Sequence, residues 1–279
     1  MLKFKRVLLI NMRLFLYLII IFTSLPASAI EFPSLASPIA LGAGNVKALK
    51  ADPFSGSYHP GSLAFISKNS ISMAFQSNYF IPGLNQLLVA ANCLLPKAKR
   101  LSFSYGFFGN QYYNESHTKL GFAQVFSSKF GGGVALDYLR IQIPQKEFNI
   151  KHALTFDAAF YFTFNRHLDF AFHVINPLRV RFGNERLPFI INSTLIYNSS
   201  SKLILVAEFN QVMAGQSDVN IGLEYNFSKN FILRAGIQTK QFSPCFGVSI
   251  SKKKYSIHLA FSLHHYLSST SAMGFTYWQ

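Results

Sequence analysis

The residues that decide the fold run Leu154-Thr155-Phe156-Asp157-Ala158-Ala159-Phe160-Tyr161-Phe162-Thr163-Phe164. Leu154, Phe156, Ala158, Phe160, Phe162 and Phe164 form one alternating set; Thr155, Asp157, Ala159, Tyr161 and Thr163 form the other. Successive side chains of a strand point to opposite faces, so the two sets line two different surfaces. One surface is almost wholly apolar, and the other carries a carboxylate. Strands of globular proteins usually have about 5–6 residues, whereas a tilted strand crossing a membrane takes about 9–11. The stretch has the second length.

The same alternation recurs in both directions. Toward the N-terminus it reads Leu101, Phe103, Tyr105, Phe107 and, before that, Ile71, Met73, Phe75. Toward the C-terminus it reads Val219, Ile221, Leu223, Tyr225, Phe227, then Tyr255, Ile257, Leu259, Phe261, Leu263, then Met273, Phe275, Tyr277. About 14 strands fit, at 69–79, 85–95, 100–108, 116–126, 132–141, 151–164, 168–175, 189–197, 203–211, 218–227, 231–239, 244–251, 255–265 and 271–278. Every second connection is short and basic, as at Pro96-Lys97-Ala98-Lys99, Asn165-Arg166-His167 and Lys252-Lys253-Lys254. The intervening connections tend to be longer, including Gln142 to Asn149 and Asn176 to Pro188. Short periplasmic turns and longer external loops are the pattern of outer-membrane barrels. The predicted fold is all-β, a transmembrane antiparallel barrel over 69–279 whose basic turns face the periplasm.

Composition agrees. Of 279 residues, 50% are hydrophobic and 16% aromatic, with 30 Phe, while only 13% are charged. Ordinary soluble domains carry about 25% charged residues, and disordered chains need more charge and less apolar content. The net charge of +15 raises nucleic acid as a partner. The aromatics, however, lie at period two on an outward face and form no stacking platform, so no nucleic-acid partner is expected; the expected neighbour is outer-membrane lipid.

Lys3, Lys5, Arg6 and Arg13 precede the apolar run Leu14 to Leu25, and Ala27-Ser28-Ala29 follows. This is the pattern of a signal peptide over 1–29, cleaved near Ala29. Residues 30–68 are punctuated by Gly42, Gly44, Pro53, Gly56, Pro60 and Gly61, too irregular for a strand and too apolar for a disordered tail. A plug or hatch packed in the barrel is expected there.

Asp137, Asp157, Asp169, Glu208 and Glu224 sit mid-strand on the set opposite the outward aromatics, and Arg234, His173, His258 and His264 share that inward parity. A carboxylate facing lipid costs several kcal/mol, so these eight strand positions and His264 are expected to face the lumen. They either line a conduit or binding cavity or pair with one another in a closed interior. His264-His265, adjacent in a strand, would point to opposite faces. Arg179, Arg181 and Arg186 give the longest outer loop a basic character and are the candidates for partner contact. No nucleophile elbow, H-E-x-x-H, P-loop or Cys/His cluster at metal spacing occurs, so no enzyme activity, cofactor or metal site is expected. Cys93 and Cys245 are expected as unpaired thiols packed like small hydrophobes.

Ala40-Leu41-Gly42-Ala43-Gly44-Asn45, Ala51-Asp52-Pro53 and Tyr58-His59-Pro60-Gly61-Ser62-Leu63-Ala64 resemble the N-terminal motif of FadL-like outer-membrane barrels, and more closely the PorV/PorQ group. Ile221-Gly222-Leu223-Glu224-Tyr225, Leu233-Arg234-Ala235-Gly236, Phe246-Gly247-Val248 and Tyr255 to Phe261 extend the likeness over most of the mature chain. Pro53 stands where the group has a second Asp, and His59 where it has Asn before Pro60. The resemblance implies a hatch motif built on Gly42, Gly44, Asn45, Asp52, His59 and Pro60. It also implies a non-enzymatic component of type IX secretion, meeting cargo C-terminal domains or surface attachment-complex proteins. FadL-like relatives instead imply a passive channel for hydrophobic small molecules.

Overall fold

The computed structural model describes residues 37–50, 52–142, 150–182, 185–213 and 215–279. The signal-peptide reading, Ala51 and the connection 143–149 lie outside the described residues. Among the described residues the chain forms three short helices and then strands. The helices are α1 (Pro38–Gly42), α2 (Ser55–Tyr58) and α3 (Pro60–Leu63). The first seven strands are β1 (Ser70–Ser77), β2 (Asn85–Leu95), β3 (Lys99–Gly109), β4 (Asn114–Ser127), β5 (Phe130–Gln142), β6 (Lys151–Thr163) and β7 (Leu168–Ile175). A small hairpin, β8 (Arg181–Phe182) with β9 (Glu185–Arg186), interrupts the series. The rest are β10 (Ile190–Asn198), β11 (Leu203–Val212), β12 (Asp218–Ser228), β13 (Phe231–Gln238), β14 (Ser243–Lys252), β15 (Tyr255–Ser262) and β16 (Thr270–Trp278).

Apart from β8 and β9, the strands close into one antiparallel barrel in which β1 pairs with β2 on one side and β16 on the other. The 14 strands match the number expected from period-two counting. Closure joins the first strand to the last, so backbone polar groups along the ladders are paired without water, the condition for crossing lipid.

Side chains sort as the alternation requires. In β15, Tyr255, Ile257, Leu259 and Phe261 are exposed while Ser256, His258, Ala260 and Ser262 are buried. Ile71, Leu154 and Met273 expose more than half of their surface, which in a barrel of this kind is surface presented to acyl chains. The inward positions are often small, as at Ala74, Ala90, Ala123, Ala159, Ala171 and Ala272. That thin lining leaves space for the apolar side chains of the N-terminal segment. Ile39, Val46, Leu49, Phe54 and Tyr58 fill it as one buried cluster.

Two local expectations are corrected. The strand anticipated at 255–265 ends at Ser262. Leu263 donates its N–H to Pro244 O at 2.9 Å, and the chain then turns away. His264 Nδ1 accepts the backbone N–H groups of Tyr266 and Leu267 at 3.1 Å each, so the His264-His265 pair lies in a connection and not on opposite faces of a strand. Within 176–188, expected as an outer loop, Arg179, Arg181 and Arg186 are exposed while Phe182 and Leu187 turn back onto the barrel. Phe182 and Leu187 pack against inward Leu139, Ala153 and Ile175, because the pairing of β6 with β7 stops at Asp157–Ile175 and leaves the upper part of β6 to be covered. Asn176 pins this cover, its Nδ2 donating to the carbonyls of Leu187 and Pro188 at 3.1 Å.

Candidate functional site

The segment 37–66 crosses the barrel interior and is held from all sides. Ser37 caps α1, accepting Ala40 N–H on Oγ, and Pro38 fixes its first turn. The turn is set against β14 at backbone distance: a Cβ on Gly42 would lie 2.8 Å from Gly247 Cα. Next to it Gly44, at φ +74°, lies so close to Gly236 that a Cβ on Gly236 would meet Gly44 N at 2.4 Å. Asn45 follows with φ 64°, completing the turn that brings the chain across the lumen. On the far side α2 lies against β3, and α3 against β5 and β6.

Hydrogen bonds and charge pairs add to that packing. Lys47 N–H donates to Glu208 Oε2 at 3.0 Å, and Thr194 Oγ1 donates to the same oxygen at 2.9 Å. Lys50 Nζ lies 3.0 Å from Asp169 Oδ2, with the Tyr161 ring centroid 4.7 Å away. Asn92 Nδ2 donates to Pro53 O at 2.6 Å, and Arg100 Nε to Ile66 O at 2.7 Å. Within the segment, the Tyr58 hydroxyl donates to Asp52 Oδ2, while Phe54 N–H donates to Asp52 Oδ1 at 2.8 Å. His59 caps α3, its Nδ1 accepting Ser62 N–H at 2.9 Å ahead of Pro60 at the first helical position. Burial, followed by the neighbouring His173, holds His59 well below the usual histidine range, so it is neutral.

Burial pushes the Asp52 carboxyl up to about 6 from an ordinary 3.8, outweighing the hydrogen bonds from Tyr58 and Phe54. The docked segment thus binds this proton more tightly than the undocked one. Docking is strongest below pH 3.8, weakens as pH rises toward about 6, and changes no further from this source above it. The expected result is that pore opening, read as bilayer conductance, rises across that window in the parent protein. Asp52→Asn should flatten the rise; an unchanged slope would exclude Asp52 as its source.

The inward polar residues form two runs around the wall. On β4–β7, Lys119 Nζ lies 3.1 Å from Asp137 Oδ1 and 2.6 Å from Asp157 Oδ2. His117 Nε2 meets Asp137 Oδ1 at 2.6 Å, and His173 Nε2 meets Asp157 Oδ2 at 3.2 Å. On β12–β16, Arg234 Nε donates to Glu224 Oε2 and Nη1 to Ser249 Oγ. Ser249 Oγ contacts His258 Nδ1 at 2.7 Å, and His258 Nε2 contacts Thr276 Oγ1 at 3.3 Å. Asp137, Asp157, Asp169, His173, Glu208, Arg234 and His258 are buried and Glu224 nearly so. Their partners include Lys119 and His117, which share inward parity with Gly121 and Ala123, and Lys47 and Lys50 from the N-terminal segment. Among the described residues, inward charges of opposite sign stand in contact along both runs. Arg179, Arg181 and Arg186 stand exposed at the rim, apart from these runs.

Outside the barrel, an apolar groove of about 690 Å³ crosses β1 to β5. Its walls are outward residues such as Ile71, Phe103 and Leu120, and small Ala91 lies among them. Its floor reaches Asn92, Ser102 and Gly121, which face inward and are direct cross-strand partners. Ser102 also touches the N-terminal segment: a Cβ on Gly56 would lie 2.5 Å from Ser102 Cβ. Here the wall between lipid and that segment is one small side chain thick, although the β1–β4 ladder is continuous.

No protein-family model matches the sequence, and no curated protein matches it. Solved structures do match in shape. A deletion mutant described as the TodX monoaromatic hydrocarbon channel superposes with a TM-score of 0.68 at 10% identity, covering 88% of this chain and 99% of its own. The Pseudomonas putida toluene transporter TodX gives 0.66 at 10% identity over 90% and 99%. A Pseudomonas aeruginosa FadL homologue gives 0.60 at 10% identity over 90% and 99%. The chain has the fold shared by these FadL-like outer-membrane barrels.

Proposed function

We propose that the protein passes a small apolar compound through the outer membrane, with residues 37–66 as its hatch and the groove over β1–β5 as its exchange site with lipid. The groove carries this reading. It is apolar, it is about 690 Å³ in volume, and its floor residues Asn92, Ser102 and Gly121 also touch the hatch. Transport of toluene and monoaromatic hydrocarbons by proteins of the same fold supports a solute of that class. The basic turns lie at the periplasmic end in this orientation, and Phe182 and Leu187 cover the inner face of β5–β7 near the external end.

The second reading, a secretion-associated barrel that meets cargo C-terminal domains, draws on the PorV/PorQ-like hatch motif and the exposed Arg179, Arg181 and Arg186. Connections such as 78–84 and 110–113 give a folded domain little to hold. Accumulation of labelled toluene in cells with and without the gene separates the two. Expression should raise uptake several-fold, and Ala91→Trp, filling the groove from the lipid side, should remove most of the gain. Uptake that ignores the gene, with loss of C-terminal-domain cargo from the cell surface on deletion, would reverse the order.

A further inference from the structure

We infer that the cavity at the long-loop end of the barrel binds a neutral, hydroxyl-rich solute of monosaccharide size. The cavity measures about 370 Å³. At about 30 Å³ per molecule of liquid water it has room for about a dozen non-hydrogen atoms. Its floor is the hatch, through Ser37, Leu41 and Asn45, and its walls are the ends of strands.

The lining chemistry is unlike that of the groove. Asn45, Gln76, Asn78, Gln86, Gln238 and Gln241 bring six carboxamides to one space. A carboxamide both donates and accepts hydrogen bonds and carries no charge, as a hydroxyl does, so the two are matched partners. Asp218 and Lys240 are the charged lining residues, one of each sign, which favours no ion of either charge.

Part of the lining is already set in place. Gln76 Nε2 donates to Asn78 Oδ1 at 2.7 Å, and Asn78 Nδ2 donates to Leu84 O at 2.8 Å. Tyr79 meets His264 edge-on with ring centroids 5.4 Å apart, and Phe108 adds a second ring for the C–H face of a sugar. The remainder is uncommitted. The carboxamides of Asn45 and Gln86 and the hydroxyl of Thr270 take no protein partner among the described residues, although each is at least partly buried. They come from the hatch, β2 and β16 and converge on the same cavity. Their polar groups are open to the cavity, and a polyhydroxylated ligand pairs all three.

The inference goes beyond passage of an apolar compound and stands without it. The test uses the full mature chain in a detergent free of sugar headgroups, with D-glucose and toluene as separate probes in saturation-transfer NMR. Glucose should receive saturation. Asn45→Gly/Gln86→Leu, which keeps the left-handed backbone at position 45, should weaken glucose binding about tenfold or more, the loss of two hydrogen-bonding side chains. Glucose 6-phosphate should bind no better than glucose. If the double variant fails to migrate as a folded barrel, Gln86→Leu alone carries the comparison. No transfer to glucose in the parent, equal transfer in the variant, or loss of toluene transfer in place of glucose would each overturn the inference.

Discussion

Replacing Gly236 with valine is expected to raise the conductance of the barrel. A Cβ at this position would meet Gly44 N at 2.4 Å and Ala43 C at 2.6 Å, both backbone atoms that no rotamer change can move aside. Overpacking of this kind costs about 1–3 kcal/mol, and each 1.4 kcal/mol is a factor of ten in population. The strain falls on docking of the hatch, because β13 keeps its ladder bonds to β12 and β14. The undocked fraction should therefore rise about 5- to 140-fold. Single-channel recording in planar bilayers reads this directly. A second measure is built into the chain: Cys245 is fully buried, and a water-soluble maleimide should reach it faster in the variant. Gly132→Ala is the control, since its Cβ would make only ordinary contact with Phe126 at 3.4 Å. Conductance and Cys245 labelling that stay at parental levels would show that the glycine contact does not hold the hatch.

Lys119→Met should produce the largest loss of stability. Lys119 lies between Asp137 and Asp157, all three essentially buried, so methionine leaves two carboxylates with their shared cation gone. Removing one partner of a buried ion pair costs about 3–5 kcal/mol. His117 and His173 remain in contact with the two carboxylates but do not replace the ammonium between them. Resistance to SDS and the urea midpoint of the heat-modifiable band should both fall sharply. Adding Asp137→Asn and Asp157→Asn to Lys119→Met should restore much of the loss, because no uncompensated charge is then left. Equal midpoints for parent and Lys119→Met would refute this account of the cluster.

The sequence shows much of the wall and little of what fills it. Strand count and facing are legible because period two is a local property, and lipid outside removes the ambiguity about which face is apolar. Inward placement of Asp157 and Glu208 follows from the same parity. Lys119 carried that signal too, on the face with Gly121, but its role depends on standing opposite Asp137, a register that no local pattern states. The contacts of the hatch lie further out of reach. Gly222, Gly236 and Gly247 look in sequence like gaps in a strand, and they become sockets only when residues 42–44 are laid against them. The cover over β5–β7 was hidden for a related reason: Phe182 and Leu187 sit among arginines, and only the shortfall in β7 gives them a place to go.

The seam between β1 and β16 constrains how the molecule is made. Ser70 stands opposite Trp278, so the first barrel strand cannot be completed until the last one has been synthesised and delivered. The segment just before β1 touches strands from both ends of the chain, with Asn92 on one side and Gly247 on the other. Those contacts are complete only when both ends of the sheet are in place. Joining such distant partners is the slow part of assembly, and here the same closure sets Gly274 of β16 against Pro38 and Phe54.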